Sequence, residues 1–74
     1  MHIHVKLFAT FREDRFDEKD FDISAGITVG EIIDMIGIPS AAVALIFING
    51  HHVERDTRLG EGDTLALFPP IGGG

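Results

Sequence analysis

Apolar and polar positions alternate from the start of the chain, with Ile3, Val5, Leu7 and Ala9 interleaved with His2, His4, Lys6 and Phe8. A period of two puts the two sets on opposite faces of an extended segment, so this stretch predicts a first strand with one face on a core. Residues 12–15 are charged and read as a turn. Weaker alternation resumes over residues 16–23 through Phe21 and Ile23, which predicts an edge or heavily solvated second strand, paired with the first as a hairpin.

The period then changes. Thr28 and Glu31 have the spacing of a capping box, and Val29, Ile32, Ile33 and Ile36 recur at the offsets of one helical face. A helix of about three turns at most is expected, because Gly37 accepts a left-handed stop and Pro39 blocks continuation. β-Branched residues are poor intrinsic helix formers, so packing against a sheet must stabilise it. Residues 43–48 are almost continuously apolar, as in a central strand covered on both sides, and Asn49-Gly50 is a tight-turn signal. A short strand is expected over residues 52–54 and a loop or single turn over 56–59. Residues 60–63 then reverse the chain into a last strand over 64–68.

This order of elements is economically packed as an α+β domain of the β-grasp, or ubiquitin-like, kind. One main helix lies across one face of a mixed sheet of four to five strands, with the first and last strands parallel at its centre. Residues 1–68 form this domain and residues 69–74 form a carboxyl-terminal tail. By alternation Phe8, Ala66 and Phe68 lie opposite Leu7, Leu65 and Leu67, so they form an apolar patch on the helix-free face, at the base of the tail. Core filling is the competing reading for each phenylalanine.

Composition narrows the function. With 74 residues, a chain buries only about 60% of its unfolded surface, which leaves no room for a deep substrate cavity beside a core. Neither a nucleophile–base pair nor a carboxylate dyad stands out, and the phosphate-binding glycine motifs are absent, so a stand-alone enzyme is not expected. The net charge of −6 disfavours nucleic acid. No apolar run approaches the ~18 residues of a membrane span and no signal segment opens the chain, which predicts a cytoplasmic protein without membrane association. Cysteine is absent, which removes disulfides, thiolate metal sites and thiol nucleophiles. His2 and His4 share a strand face, but two ligands make a weak metal site, and His51 and His52 read as surface residues. No metal or bound cofactor is expected.

The remaining chemistry lies in residues 69–74, Pro-Pro-Ile-Gly-Gly-Gly. Prolines stiffen a stem that projects from the body, and glycines carry no Cβ to block a narrow channel. Such a tail fits into another enzyme's active site. Terminal glycines are also common as fraying ends.

Three stretches carry a family resemblance: Val5-Lys6-Leu7-Phe8-Ala9-Thr10-Phe11-Arg12-Glu13, then Ile48-Asn49-Gly50, then residues 59–74, which run from a Gly-Asp turn through an apolar strand to Phe68-Pro69-Pro70 and the closing glycines. The chain resembles the MoaD/ThiS ubiquitin-like sulfur carriers, and most of all the small subunit of molybdopterin synthase. The resemblance implies that an ATP-dependent, ubiquitin-activating-type enzyme adenylates the carboxylate of Gly74, which follows Gly73, and that a sulfur donor converts it to a thiocarboxylate. ATP is then a cofactor of the partner enzyme. It further implies that the tail residues Pro69, Pro70, Ile71 and Gly72 enter the large catalytic subunit of molybdopterin synthase, which Arg12 and Phe68 contact, and the patch that alternation gives to Phe8 is expected to bind the same partner. In the thiamine branch the recipient is thiazole synthase. A ubiquitin-like modifier, or an interaction module with an idle tail, shares the same fold and stays open beside the carrier reading.

Overall fold

In a computed structural model that describes residues 1–70, five strands form one mixed sheet: β1 (His2–Leu7), β2 (Glu18–Asp22), β3 (Leu45–Ile48), β4 (His51–His52) and β5 (Thr64–Phe68), in the order β2-β1-β5-β3-β4. β1 and β5 run parallel and pair Val5 with Leu65 and Leu7 with Leu67, and β2, β3 and β4 join them antiparallel. This is the β-grasp arrangement expected from the order of elements. The helix α1 (Val29–Ile36) buries Val29, Ile32 and Ile33 in the same cluster as Ile3, Val5, Leu7, Leu65 and Leu67. No helix among the described residues is long and apolar enough to cross a membrane.

Local chemistry sets the ends of α1. The Thr28 hydroxyl accepts from Glu31 N–H while the Glu31 carboxylate accepts from Thr28 N–H, a reciprocal capping box. These donors hold the Glu31 pKa below the usual carboxylate range. Gly37 closes the helix in the left-handed conformation at φ 88°, where a Cβ would be strained. At the β3–β4 hairpin Asn49 and Gly50 both have positive φ, 51° and 83°, as a two-residue primed turn requires.

The structure corrects the expectations for three strands. β1 ends at Leu7 because Ala9 turns left-handed at φ 52° and opens a 3-10 turn (Ala9–Arg12) that buries Phe11 and leaves Ala9 exposed. β3 begins at Leu45, after a second 3-10 turn (Ser40–Ala42). Among the described residues it is covered on one side only: Ile46 and Ile48 are buried while Leu45 and Phe47 face away from the helix. β4 begins at His51, as pairing resumes immediately after the two-residue turn. β2 is the edge strand expected, running over Glu18–Asp22, with Phe21 packed against the core and Lys19 lying over the rings of Phe16 and Phe21.

Thr28→Ala removes the cap acceptor and is expected to cost about 1 kcal/mol, lowering the melting temperature by about 4–8 °C. Urea and thermal denaturation test this, and an unchanged midpoint would show that packing alone fixes the helix start.

Candidate functional site

The helix-free sheet face has two halves of different chemistry. On one half Phe8, leaving β1, stacks on Phe68 at the end of β5 with ring centroids 4.2 Å apart and planes 9° from parallel. Phe47 of β3 meets Phe68 edge-on at 5.7 Å and 85°, and His52 of β4 meets Phe47 at 5.7 Å. All three phenylalanines are partly exposed. No second layer among the described residues covers them, and they pack on one another; such pairs contribute about 0.5–1.5 kcal/mol beyond their burial. They line an open, largely apolar groove of about 380 Å³ whose rim includes Lys6 and Thr64.

Arg12 joins this cluster from the side. Its guanidinium carbon lies 5.2 Å from the Phe8 ring centroid, while its Nε–H donates to the Leu7 carbonyl at 2.6 Å. Arg12 therefore fixes the chain where it leaves β1 and presents a charged plane beside the ring. Arg15, Arg55 and Arg58 likewise donate to main-chain carbonyls, those of Gly37, Ser40 and Val43, and Gly26.

The other half of the face is a ladder of charges. His2, His4 and Lys6 on β1 stand opposite Asp22, Asp20 and Glu18 on β2. His4 lies between two carboxylates, its Nδ1 2.6 Å from Asp20 Oδ1 and its Nε2 2.7 Å from Glu18 Oε1. Placed between two carboxylates, the ring is favoured in its doubly protonated form, in which both nitrogens donate. Hydrogen bonding to Asp20 and then Glu18 raises the His4 pKa above its ordinary 6.5, and the same contact lowers that of Asp20. Two carboxylates on one ring favour its cationic form and make this an ion-pair network across β1 and β2.

The residues expected to serve the site divide in three. Phe8, Arg12 and Phe68 come together as one cluster. Pro69 is buried and Pro70 exposed, which corrects the expectation that both prolines project from the body: only the second is open to solvent. Ile71, Gly72, Gly73 and Gly74 lie outside the described residues. Phe47 and Lys6 were not expected at the groove. Phe47 sits in an unbroken apolar run that hides which of its residues face outward, and Lys6 reads in sequence as an ordinary solvated strand position.

A five-stranded mixed sheet with β1 and β5 parallel at its centre and one main helix across one face defines a ubiquitin-like protein. Residues 5–74 match the ThiS family, and the chain belongs to it, as a small ubiquitin-like sulfur carrier of the ThiS/MoaD type. Solved structures agree. SAMP1 from Haloferax volcanii is 27% identical over 100% of both chains, with a TM-score of 0.79. A putative molybdopterin converting factor, subunit 1, from Pyrococcus furiosus is 29% identical over 96% of this chain and 99% of its own, with a TM-score of 0.78. A protein–protein complex of subunits 1 and 2 of molybdopterin-converting factor from Helicobacter pylori contains a chain 25% identical over 100% of both, with a TM-score of 0.63. No curated protein matches the sequence.

Two expectations follow from the face. Phe68 and Leu67 are neighbours on opposite sides of β5. Leu67→Ala should cost about 2–5 kcal/mol as a core truncation, whereas Phe68→Ala should cost clearly less; equal losses in denaturant titrations would put Phe68 in the core.

The His4 network carries a pH signature. Its folded pKa is raised, so the stabilisation is complete below the ordinary value of 6.5 and is lost as pH rises through the folded value. The Asp20 share is present above 3.8 and is lost as pH falls through its lowered value. Asp20→Asn should lower the midpoint of the His4 ring titration followed by NMR, and an unmoved midpoint would remove Asp20 as the main cause.

Proposed function

We propose that this carrier works in molybdopterin-type cofactor biosynthesis. In this reading residues 69–74 are the delivery arm and Gly74 is its terminal residue. An ordinary carboxylate, with a pKa of about 3.3–3.7, is ionised and unreactive toward nucleophiles at neutral pH. Attack of a Gly74 carboxylate oxygen on the α-phosphate of ATP, with loss of pyrophosphate, gives an acyl-adenylate. A sulfur nucleophile supplied by a donor then adds at the acyl carbon and expels AMP, leaving a thiocarboxylate. The terminal glycines offer that group to a narrow channel with no side chain beside it.

The observation that carries the reading is the stacked Phe8–Phe68 pair, with Arg12 over Phe8, at the point where β5 hands over to the stem. A synthase holding the arm must contact this face, and the pair offers it a flat aromatic anchor. The likeness to molybdopterin-converting factor subunit 1, and to a complex of that factor's subunits 1 and 2, supports this branch. The recipient proposed for this chain is therefore a large catalytic subunit of that type, and the activating enzyme is an ATP-dependent adenylating enzyme. A second reading, a modifier joined through Gly74 to lysine amines, is favoured by the likeness to SAMP1, the small archaeal modifier protein 1. Both share the adenylate and differ in the nucleophile that resolves it.

Intact mass after incubation with a cognate activating enzyme, ATP and a sulfur source separates them. Exchange of one terminal oxygen for sulfur at Gly74 supports the carrier, a lysine-linked adduct supports the modifier, and an unchanged mass with an enzyme active on a known carrier sinks both. Deleting Gly74 should abolish the exchange while the melting temperature stays nearly constant, since the core lies in residues 3–67.

A further inference from the structure

Lys6 is a cation at the edge of an aromatic groove, and its natural counter-charge is engaged elsewhere. Its cross-strand partner is Glu18, and opposite charges in that relation ordinarily pair. Glu18 instead accepts from His4 Nε2 at 2.7 Å, and the other nearby acid, Asp20, accepts from Nδ1 of the same ring. On the other flank Lys6 pairs with Ala66 of β5, which is uncharged. Among the described residues no carboxylate forms an ion pair with Lys6. A chain of net charge −6 thus presents an uncompensated ammonium at the edge of its apolar concavity.

We propose that Lys6 is a specificity-determining residue of the docking face, taking a carboxylate of the partner protein while an adjacent apolar side chain of that partner fills the groove of Phe8, Phe47 and Phe68. This rests on the reading of the face as the carrier's docking surface. The selection is by charge: an acidic partner segment is repelled by the Asp and Glu-rich hairpin and is neutralised at Lys6, so the groove is where it settles. Spacing adds a second criterion. Lys6 and Phe8 lie on one side of the same chain segment, about 7 Å apart at strand rise. The matching partner element is an extended segment with an apolar residue and an acidic residue at alternate positions.

His4 is the positioning residue. The charged groups around it are Glu18 and Asp20 from β2 and His2 and Lys6 from its own strand, while Thr64 of β5 is neutral. While His4 is an imidazolium it holds Glu18 away from Lys6. Its deprotonation at higher pH releases Glu18 to pair with Lys6 and close the site to a partner's carboxylate.

The probes are two extended peptides with blocked ends, acetyl-Phe-Gly-Glu-amide and acetyl-Phe-Gly-Gln-amide, titrated into the isotope-labelled full-length chain by NMR. The glutamate peptide should shift the amide signals of Lys6, Phe8 and Phe68 and bind at least about threefold more tightly than its glutamine twin, as expected of a partly exposed charge pair. Lys6→Gln should erase the preference without weakening the glutamine peptide. Raising the pH through the His4 titration should also erase it in the parent protein but not in Glu18→Gln. Equal affinities, shifts away from the groove, or no groove shift with either peptide at its solubility limit would overturn the proposal, and a preference indifferent to pH would overturn the role of His4. The readout is independent of Gly74 activation, so failure here and failure of the sulfur-carrier reading are separable.

Discussion

Parallel pairing of the first and last strands is the constraint on which the rest of this small domain depends. Val5, Leu7, Leu65 and Leu67 are fully buried, and two of the four interstrand registers of that pair, Val5 with Leu65 and Leu7 with Leu67, lie on the core face. A parallel connection needs a long crossover, and α1 within that crossover supplies the apolar stripe that covers the sheet. The same pairing sets the start of the stem beside the exit of β1, because Phe68 then stands next to Phe8. The aromatic groove is a consequence of that topology, since residues at opposite ends of the chain meet only through it.

The second constraint is that there is a single layer of cover. One helix shields one side of the sheet, so each strand presents an outer row that must be stable in water. On the β1–β2 half the row is ionic and closes on His4; on the β5–β3 half it is aromatic and closes on Phe68. These are two solutions to the same exposure, and they differ in what they offer a partner. The ionic half engages His4 with Glu18 and Asp20 and leaves Lys6 without an ion pair among the described residues. The aromatic half retains an open concavity, which is what makes it the docking candidate.

Local chemistry was legible in the sequence wherever a residue acts on its own neighbours. The capping box at Thr28 and Glu31, the left-handed stop at Gly37 and the primed turn at Asn49-Gly50 depend on short-range hydrogen bonds and φ preferences, and all appear as read. Alternation likewise separated Phe8 and Phe68 from Leu7, Leu65 and Leu67. What was not legible depends on register or on an unfavourable backbone state. Ala9 has no sequence signature for φ 52°; alanine disfavours it, and burial of Phe11 just beyond opposes that cost. Phe47 was hidden by apolar residues on both sides, and the engagement of His4 with two acids required knowing that β2 sets Asp20 against it. Periodicity gives faces, whereas cross-strand chemistry needs neighbours.

Pro69 shows why that distinction matters for function. As the first of two prolines in a tail it reads as the start of a projecting stem, yet it is buried. The ladder explains how a proline is tolerated there. The Phe68 carbonyl accepts from Ala44 N–H at 2.9 Å, β3 pairing ends at the Leu45–Phe68 register and β1 pairing at Leu7, so a residue lacking an N–H follows the last bond without leaving an acceptor unmatched. Phe68 keeps its ring in the groove, stacked on Phe8, and Pro69, which follows it, is buried. The last ladder hydrogen bond and the aromatic stack therefore both fall on Phe68, so the chain leaves the sheet at a point fixed beside the Phe8–Phe68 pair.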